Sequence, residues 1–516
     1  MQRNSSAAFK IALICIPIFI GALDLTVVSA VLPHVIFDLE IPLETGLDTA
    51  AWLVTGYLLA YTISMTFMGR LSDLYGRRRV FLIALVIFAV GSYLVAVAAE
   101  WPTDLALRGY YAFFSGRPDV SYTSLFVLIA ARMIQAFGAG SMVPVGMAMV
   151  GDLFPEGKRA RPLGLIAAVD TAGWVVGHLY GGIVVRYFDW QTIFWLNLPI
   201  CLVAYILISR LLRAPERKVK GRLDWWGAGL IAASLALLSL ALGSGSESSA
   251  GMAFGQQATI TEFAGPLLVA ALLLFLLFIH RQRVAKEPLV DPGLFSRANI
   301  LPATLANFLL GIGMFIAIAN VPLFINSFIA ASPNEGAWES GWVLSALTVP
   351  MALAAVPGGW LAERRGYRVP LAIGVSLAIL GFMLMSTWTQ TSDYFSMVPH
   401  LMLTGIGFGL SMAPVATAVV DASPARQRGT SSALVIVFRL IGMTIGVSGI
   451  TTYGLRRFEA LRGAVFSGAT DLSQGAVGGL DIMEQVIGET FLIAGGITAL
   501  VLLIIRFLKP FHLTGE

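Results

Sequence analysis

Fourteen apolar stretches, each long enough to cross a bilayer, recur along this 516-residue chain. A hydrocarbon core about 30 Å thick takes roughly 20 residues of α-helix. Runs of that kind fall at about 11–37, 50–69, 79–99, 122–151, 162–185, 191–212, 226–243 and 262–280. They continue at about 299–327, 341–361, 369–388, 396–420, 430–453 and 486–508. In lipid the backbone polar groups must be bonded within the segment, which for runs this long means helix. Gly and Pro inside them do not count against that reading, because membrane helices tolerate both. The expected class is an all-α membrane protein with 14 transmembrane helices. Charged residues make up only 12% of the chain, against roughly a quarter in a soluble protein.

Orientation follows from Lys and Arg. They cluster in alternate connecting segments, at Arg77–Arg79, Lys158–Arg161, Arg210–Arg222, Arg281–Arg297 and Arg364–Arg368. The first intervening loop is acidic instead, with Asp38, Glu40, Glu44 and Asp48. Positive segments stay inside, so both termini are expected in the cytoplasm and the chain in the inner (cytoplasmic) membrane. The first run is too long for a signal-peptide core and reads as a retained helix. The pI near 9.1 reflects this topology, and nucleic acid is not an expected partner. Cys15 and Cys201 sit in apolar runs as small core residues. Five histidines and two cysteines offer no metal-ligand cluster, and no Walker loop is present. Neither enzyme activity, a cofactor nor a metal is expected.

An internal repeat divides the chain. GRLSDLYGRRR (69–79) follows the second run and GGWLAERRGYR (358–368) follows the tenth. Both read G-x-L-x-acid-x-x-G-x-R. Gly69, Leu71, Asp73, Gly76 and Arg78 answer Gly359, Leu361, Glu363, Gly366 and Arg368. Two six-helix halves repeated about an axis along the membrane normal would produce this. The expected organisation is a bundle at 8–212, an inserted pair of helices with basic linkers at 213–297, and a second bundle at 298–510.

These residues resemble the major facilitator superfamily, and within it the fourteen-span drug–proton antiporter branch. GRLSDLYGRRR resembles that superfamily's signature loop, with Leu74 where a basic residue is usual. LDLTVVSAVLP (23–33) and ARMIQAFGAGSMVP (131–144) resemble the branch's first- and fourth-helix motifs. GWVVGHLYGG (173–182) resembles the fifth-helix antiporter motif G-x-x-x-G-P-x-x-G-G, with His178 in place of the proline. WQTIFWLNLPI (190–200), LDWWGAGL (223–230) and EPLVDPGLF (287–295) resemble its connecting segments. The resemblance implies the major facilitator fold, two six-helix bundles plus two inserted linker helices.

Candidate functional residues stand out by their cost in lipid. Asp24 and Asp170 lie well inside the first and fifth runs, where a carboxylate is a functional hypothesis by default. Proton coupling needs a group that is charged in one state and neutral in another, and a desolvated carboxyl can serve. The resemblance favours Asp24 and a fifth-helix acid as coupling sites; a bond to a neighbouring helix is the plainer role. Arg132 lies too deep to snorkel, and Asp24 and first-helix carbonyls are its expected partners. Arg439 is a second deep base with no obvious acid. Asp73, with Gly69, Gly76, Arg77, Arg78 and the matching Glu363 and Arg364, forms a candidate inner gate. An acid there can cap a helix N-terminus or pair with a base of the opposite half. Gly173, Gly177 and Gly181, with Gly182, give the fifth helix a small-residue face that lets another helix approach.

The expected function is proton-coupled antiport exporting hydrophobic or amphipathic small molecules, as in multidrug efflux, by alternating access. The alternative is export or flipping of lipids or glycolipids by the same cycle. Membrane lipids, protons and an apolar substrate are the expected partners of a monomer. Two further segments draw notice: the aromatic-rich 100–121 and the Gly-rich 454–485, both expected outside the bilayer.

Overall fold

A computed structural model of the chain describes residues 7–41, 49–114, 116–212, 221–241, 264–330, 333–466 and 472–509. Among them a helix occupies each of the fourteen apolar runs, and no strand occurs. In chain order the helices are α1 (Ala7–Asp38), α2 (Trp52–Tyr75), α3 (Arg77–Ala96), α4 (Trp101–Phe113) and α5 (Val120–Leu153). Then come α6 (Ala160–Tyr187), α7 (Gln191–Leu211), α8 (Trp225–Ala241), α9 (Ala264–Val284) and α10 (Ile300–Phe328). The last five are α11 (Pro333–Arg365), α12 (Arg368–Met385), α13 (Tyr394–Ala422), α14 (Arg428–Phe466) and α15 (Leu472–Ile505).

Among the described residues, 12 helices are long and apolar enough to cross a membrane. The other two that fill predicted runs differ for visible reasons. The 17 residues of α8 fall short in length. The apolar face of α2 is interrupted by Thr55, Tyr57, Tyr61, Ser64 and Thr66, all buried within the protein.

The chain forms two compact units. The first holds Met1–Ser239, Gly265–Leu294 and Ser423–Leu434; the second holds Leu240–Ala264, Phe295–Ala422 and Val435–Glu516. Inside the first, α1 packs on α6, and α5 packs on both α2 and α3. Inside the second, α13 packs on both α11 and α12. The second and third helices of each repeat thus share the fourth as their partner. At each repeated turn a glycine in left-handed backbone ends one helix and lets the next begin: Gly76 at φ 97° and Gly366 at φ 76°. An L side chain is strained there.

The inserted pair is pinned at one end. Asp224 accepts from Arg281 at 3.1 Å and from Gln282 Nε2 at 3.2 Å, and Ser234 donates to the Ala271 carbonyl across the pair at 2.9 Å. One face of α9 is bare, with Leu272, Leu273, Leu276 and Leu277 exposed, as lipid contact requires. Leu74 is buried and lies against Gly221 at the entry to the pair. A basic residue in that place would have its charge desolvated.

The two segments expected outside the bilayer contain helix. Residues 101–113 form the short helix α4, about 20 Å long at 1.5 Å per residue, with Trp101, Leu105, Tyr111 and Phe113 exposed. The Gly-rich stretch is helical at both ends: α14 runs for 39 residues to Phe466, and α15 starts at Leu472. At about 58 Å, α14 outruns a bilayer of about 45 Å with headgroups. Residues 467–471 lie outside the described residues. Arg457 grips both carboxylate oxygens of Glu489 at 3.0 Å, and Tyr453 donates to the same group at 2.7 Å. These bonds fasten α14 to α15.

Candidate functional site

Two polar sites are built into the first unit, one deep in the helices and one at the Asp73 end. The deep site centres on Asp24 of α1, which is 1% exposed. Arg132 of α5, equally buried, donates Nη1 to Asp24 Oδ2 at 2.6 Å and Nη2 to the Asp24 carbonyl at 3.2 Å. Sequence reasoning paired these two side chains, and the structure brings them together. It also assembles a shell that reasoning missed. Gln135, one turn beyond Arg132, accepts from Arg132 Nη1 at 2.6 Å and donates to Asp24 Oδ1 at 2.9 Å. Asn197 of α7 donates to Ser92 of α3 at 2.9 Å and to Asp24 Oδ1 at 3.4 Å. The Tyr57 ring of α2 lies 4.1 Å beneath the guanidinium. Five helices therefore meet on one carboxylate. A buried ion pair stands only when its remaining lone pairs and protons are also bonded, and Gln135, Asn197 and Ser92 supply that.

The ionised carboxylate accepts from Arg132, Gln135 and Asn197 together. Protonation removes its attraction for the guanidinium, while Gln135 Oε1 and the Asp24 carbonyl remain as acceptors for Arg132. The signal for the missed members was available, because a neutral amide inside an apolar run also needs a partner.

The second site is a clasp. Asp73, 3% exposed, lies near the end of α2 and points at the first turn of α14, whose amides have no partner within their own helix. Asp73 Oδ1 accepts from the Gly429 N–H at 2.9 Å; Oδ2 accepts from the Thr430 N–H and Thr430 Oγ1, each at 2.9 Å. Of the two roles expected for this acid, capping a helix start is the one observed. Arg77 binds Asp73 at 3.2 Å and Asp152 at 2.8 Å, and donates to the carbonyls of Ala148 (2.6 Å) and Ala425. Arg428 binds Asp152 from the other side at 2.9 Å and the Gly151 carbonyl at 2.8 Å. Two carboxylates and two guanidiniums thus form one linked group, with Asp73, Arg77 and Arg428 buried and Asp152 partly exposed, in which Asp152 and Arg428 escaped sequence reasoning. Gly69 lets the chains touch: a Cβ there would lie 2.8 Å from both the Ala433 Cβ and the Gly429 carbonyl. Arg78 donates to the Ser209 carbonyl.

The remaining predicted residues fall elsewhere. Glu363 is half-buried, and Arg364 is exposed with its guanidinium 4.1 Å from the Trp360 ring. Gly173 and Gly177 face α1. A Cβ on Gly173 would meet Ala22 at 2.6 Å, and one on Gly177 would overlap Thr26. The contact is sealed by Thr26 Oγ1 donating to the Trp174 carbonyl at 3.0 Å. The fifth-helix motif therefore packs α6 onto α1 within a turn of Asp24. Gly182 has open space beside it, and Gly181 is buried. Asp170 is buried in α6, one turn before Gly173. Arg439 is half-buried on α14, and its main-chain carbonyl abuts Gly311 of α10. The side chain of His178 lies outside the described residues. A cavity of about 800 Å³ opens between the Asp38 end of α1 and the start of α7. None of the predicted site residues lines it. Its Asp38 accepts from Trp190 Nε1 at 3.0 Å.

Comparison with known proteins gives a consistent result. The chain is 31% identical over 469 residues to a triacylglyceride transporter of Mycolicibacterium hassiacum, covering 89% of this chain and 81% of that protein. It is 30% identical over 474 residues to a probable triacylglyceride transporter of Mycobacterium leprae, covering 89% and 87%. Among solved structures, the proton:xylose symporter XylE matches with a TM-score of 0.62 at 15% identity, covering 98% of this chain and 97% of that one. The human organic anion transporter MFSD10 matches with a TM-score of 0.59 at 14% identity, covering 97% and 100%. The family model of the Major Facilitator Superfamily matches residues 14–447. With that match, the all-helical architecture and the repeated turn, the chain belongs to the major facilitator superfamily, and it is a multi-pass membrane transporter, not an enzyme.

Proposed function

We propose that this transporter exports a neutral lipid of the triacylglyceride class by alternating access, in exchange for protons taken up at Asp24. The substrate class rests on the relatives named triacylglyceride transporters, which align over 86–89% of the chain. Their names weigh towards a lipid and away from multidrug efflux. The coupling rests on one observation, the Asp24–Arg132 pair, buried to 1% on both sides. An ion pair that serves only stability is replaceable by apolar packing. One that must change state is not.

In this reading, lipid binding and proton binding compete through α1. With Asp24 ionised, α1 is held to α5 and α7. With Asp24 protonated, Arg132 rests on Gln135 and the Asp24 carbonyl, and α1 is released to move with α6, its glycine-packed neighbour. Asp170 on α6 is a second acid for the same proton path. The Asp73 clasp keeps the cytoplasmic side closed until that movement. The chain crosses an inner membrane fourteen times with both termini in the cytoplasm, as bundles at 8–212 and 298–510 around the inserted pair at 213–297.

Proteoliposomes loaded with a fluorescent triacylglyceride and given a pH gradient test the proposal. The parent moves lipid against the proton gradient, and Asp24→Asn does not. Equal lipid movement by Asp24→Asn would remove coupling from this site. Gradient-driven movement of a cationic dye but not of lipid would return the substrate to the multidrug class.

A further inference from the structure

The inserted pair touches the Asp73 clasp on both sides. On the α2 side, Leu74 directly follows Asp73; a Cβ added to Gly221 would meet its Cδ2 at 2.9 Å. Two turns earlier, Phe67 tilts against Trp225 of α8 with ring centroids 5.4 Å apart. On the α14 side, Gln427 directly precedes Arg428, and its Nε2 donates to Asp291 Oδ2 at 3.0 Å.

Asp291 is not a loose loop residue. Its Oδ1 accepts from the Gly293 N–H at 2.9 Å and its carbonyl from the Leu294 N–H at 2.9 Å. Leu289, Val290 and Leu294 beside it are buried. The Val290 N–H donates to Gln282 Oε1 at 3.0 Å, and Gln282 Nε2 donates to Asp224 at the start of α8. Gln282 is 4% exposed and Asp224 7%. Glu287 accepts from the Arg222 N–H. One unbroken series of bonds therefore runs from the base of the inserted pair to the residue before the helix start that Asp73 caps.

We propose that the inserted pair is a strap across the inner clasp, and that Asp291 and Gln427 are its positioning residues. Gln427 fixes where the first turn of α14 sits, Asp291 fixes Gln427, and the Asp224–Gln282 contact fixes Asp291 to the inserted helices. A mere spacer between two halves needs no bond to either side of a gate. This strap has contacts to both, one residue from Asp73 and one from Arg428. Parting Asp73 from Gly429 and Thr430 then requires the Asp291–Gln427 bond to break or the inserted helices to move. The inference rests on the reading of the Asp73 clasp as a gate.

Hydrogen–deuterium exchange of the full chain in lipid nanodiscs tests it, through the peptide carrying the Gly429 and Thr430 amides. Losing a hydrogen bond to a carboxylate gives about tenfold faster exchange there in Gln427→Leu and in Asp291→Ala. Because both remove the Asp291–Gln427 bond, and Asp291→Ala also frees the Gly293 N–H, the double variant exchanges no faster than Asp291→Ala alone. Gln427→Lys, which keeps a donor facing Asp291, restores parental exchange. Parental exchange in Gln427→Leu, alongside faster exchange in Asp73→Asn, would overturn the strap and leave the clasp standing. Parental exchange in Asp73→Asn as well would overturn the clasp and the strap with it. Faster exchange throughout α10 and α12 in Gln427→Leu would mean general loosening and would also overturn the strap.

Discussion

The two copies of the repeated turn have the same backbone and opposite chemistry. Both end a helix on a left-handed glycine, Gly76 or Gly366, and start the next helix within two residues. In the first copy the position after the glycine is Arg77, which binds Asp152 at the end of α5 at 2.8 Å. In the second it is Tyr367, whose hydroxyl donates at 2.5 Å to Asp421 near the end of α13. The acid of the turn is buried at Asp73 and half-buried at Glu363. Arg368 of the second copy is spent on the Leu508 and Arg506 carbonyls, tying the turn to the end of α15. The repeat in sequence therefore encodes a shared fold, while among the described residues the first copy buries its acid against a helix start and the second leaves Glu363 half-buried. Charge in a dry place is what a gate needs, because it is costly in any arrangement but the bonded one.

Mutations can break or sharpen this contrast. The largest effect is expected from Arg77→Ala, which takes the cationic partner from Asp73 and leaves Asp152 with Arg428 alone. Removing one member of a buried charged group costs about 3–5 kcal/mol, read as a lowered thermal unfolding midpoint in detergent. Asp73→Asn comes next. Asn presents an amide donor to a backbone N–H or to the Thr430 hydroxyl, and the mismatch costs about 1.5–3 kcal/mol. The protein stays folded, and lipid transport in proteoliposomes slows; an unchanged rate at equal expression would deny the clasp a gating role. Gly76→Ala and Gly366→Ala probe what the copies share, and each costs about 1–2 kcal/mol of backbone strain. A large difference between them in the same melting assay would mean that the two turns are not equivalent. Tyr367→Phe loses one part-buried hydrogen bond to Asp421, about 0.5–1.5 kcal/mol. Arg364→Ala loses only a surface cation–π contact, about 0.5–1 kcal/mol, and leaves transport at the parental rate. A transport defect in Arg364→Ala as deep as that of Asp73→Asn would erase the asymmetry.

Much of this architecture was legible because lipid imposes its rules residue by residue. Among the described residues a helix occupies every apolar run, and the deep base Arg132 meets the one acid that sequence reasoning offers it. What stayed hidden has physical reasons. Two of the four groups bonded to Asp73 are backbone amides, and a backbone amide leaves no mark in a sequence. The shell of Gln135, Asn197 and Ser92 was passed over because neutral residues attract less notice than charges, though they too need partners in lipid. Residues 454–466 and 472–485 read as a Gly-rich loop, yet they are helical. The bonds of Arg457 and Tyr453 to Glu489 fasten the two helices, and Gln485, one turn before Glu489 on α15, donates to the same carboxylate. The aromatic stretch 101–113 is a helix too short and too exposed to announce itself by hydropathy.

The glycines of the clasp carry one further consequence. Gly69 and Gly429 bring main chain against main chain, with no room for a side chain between them. Such a seam has no compressible filling and cannot be opened a little. A separation of an ångström would already stretch the three bonds to Asp73 beyond hydrogen-bonding length, while the gap would still be too narrow to admit a water molecule. The half-parted arrangement is therefore the least favourable of all, and the contact toggles between made and broken. Under the proposed gating role, such a contact would set how often the path opens and not how wide it becomes.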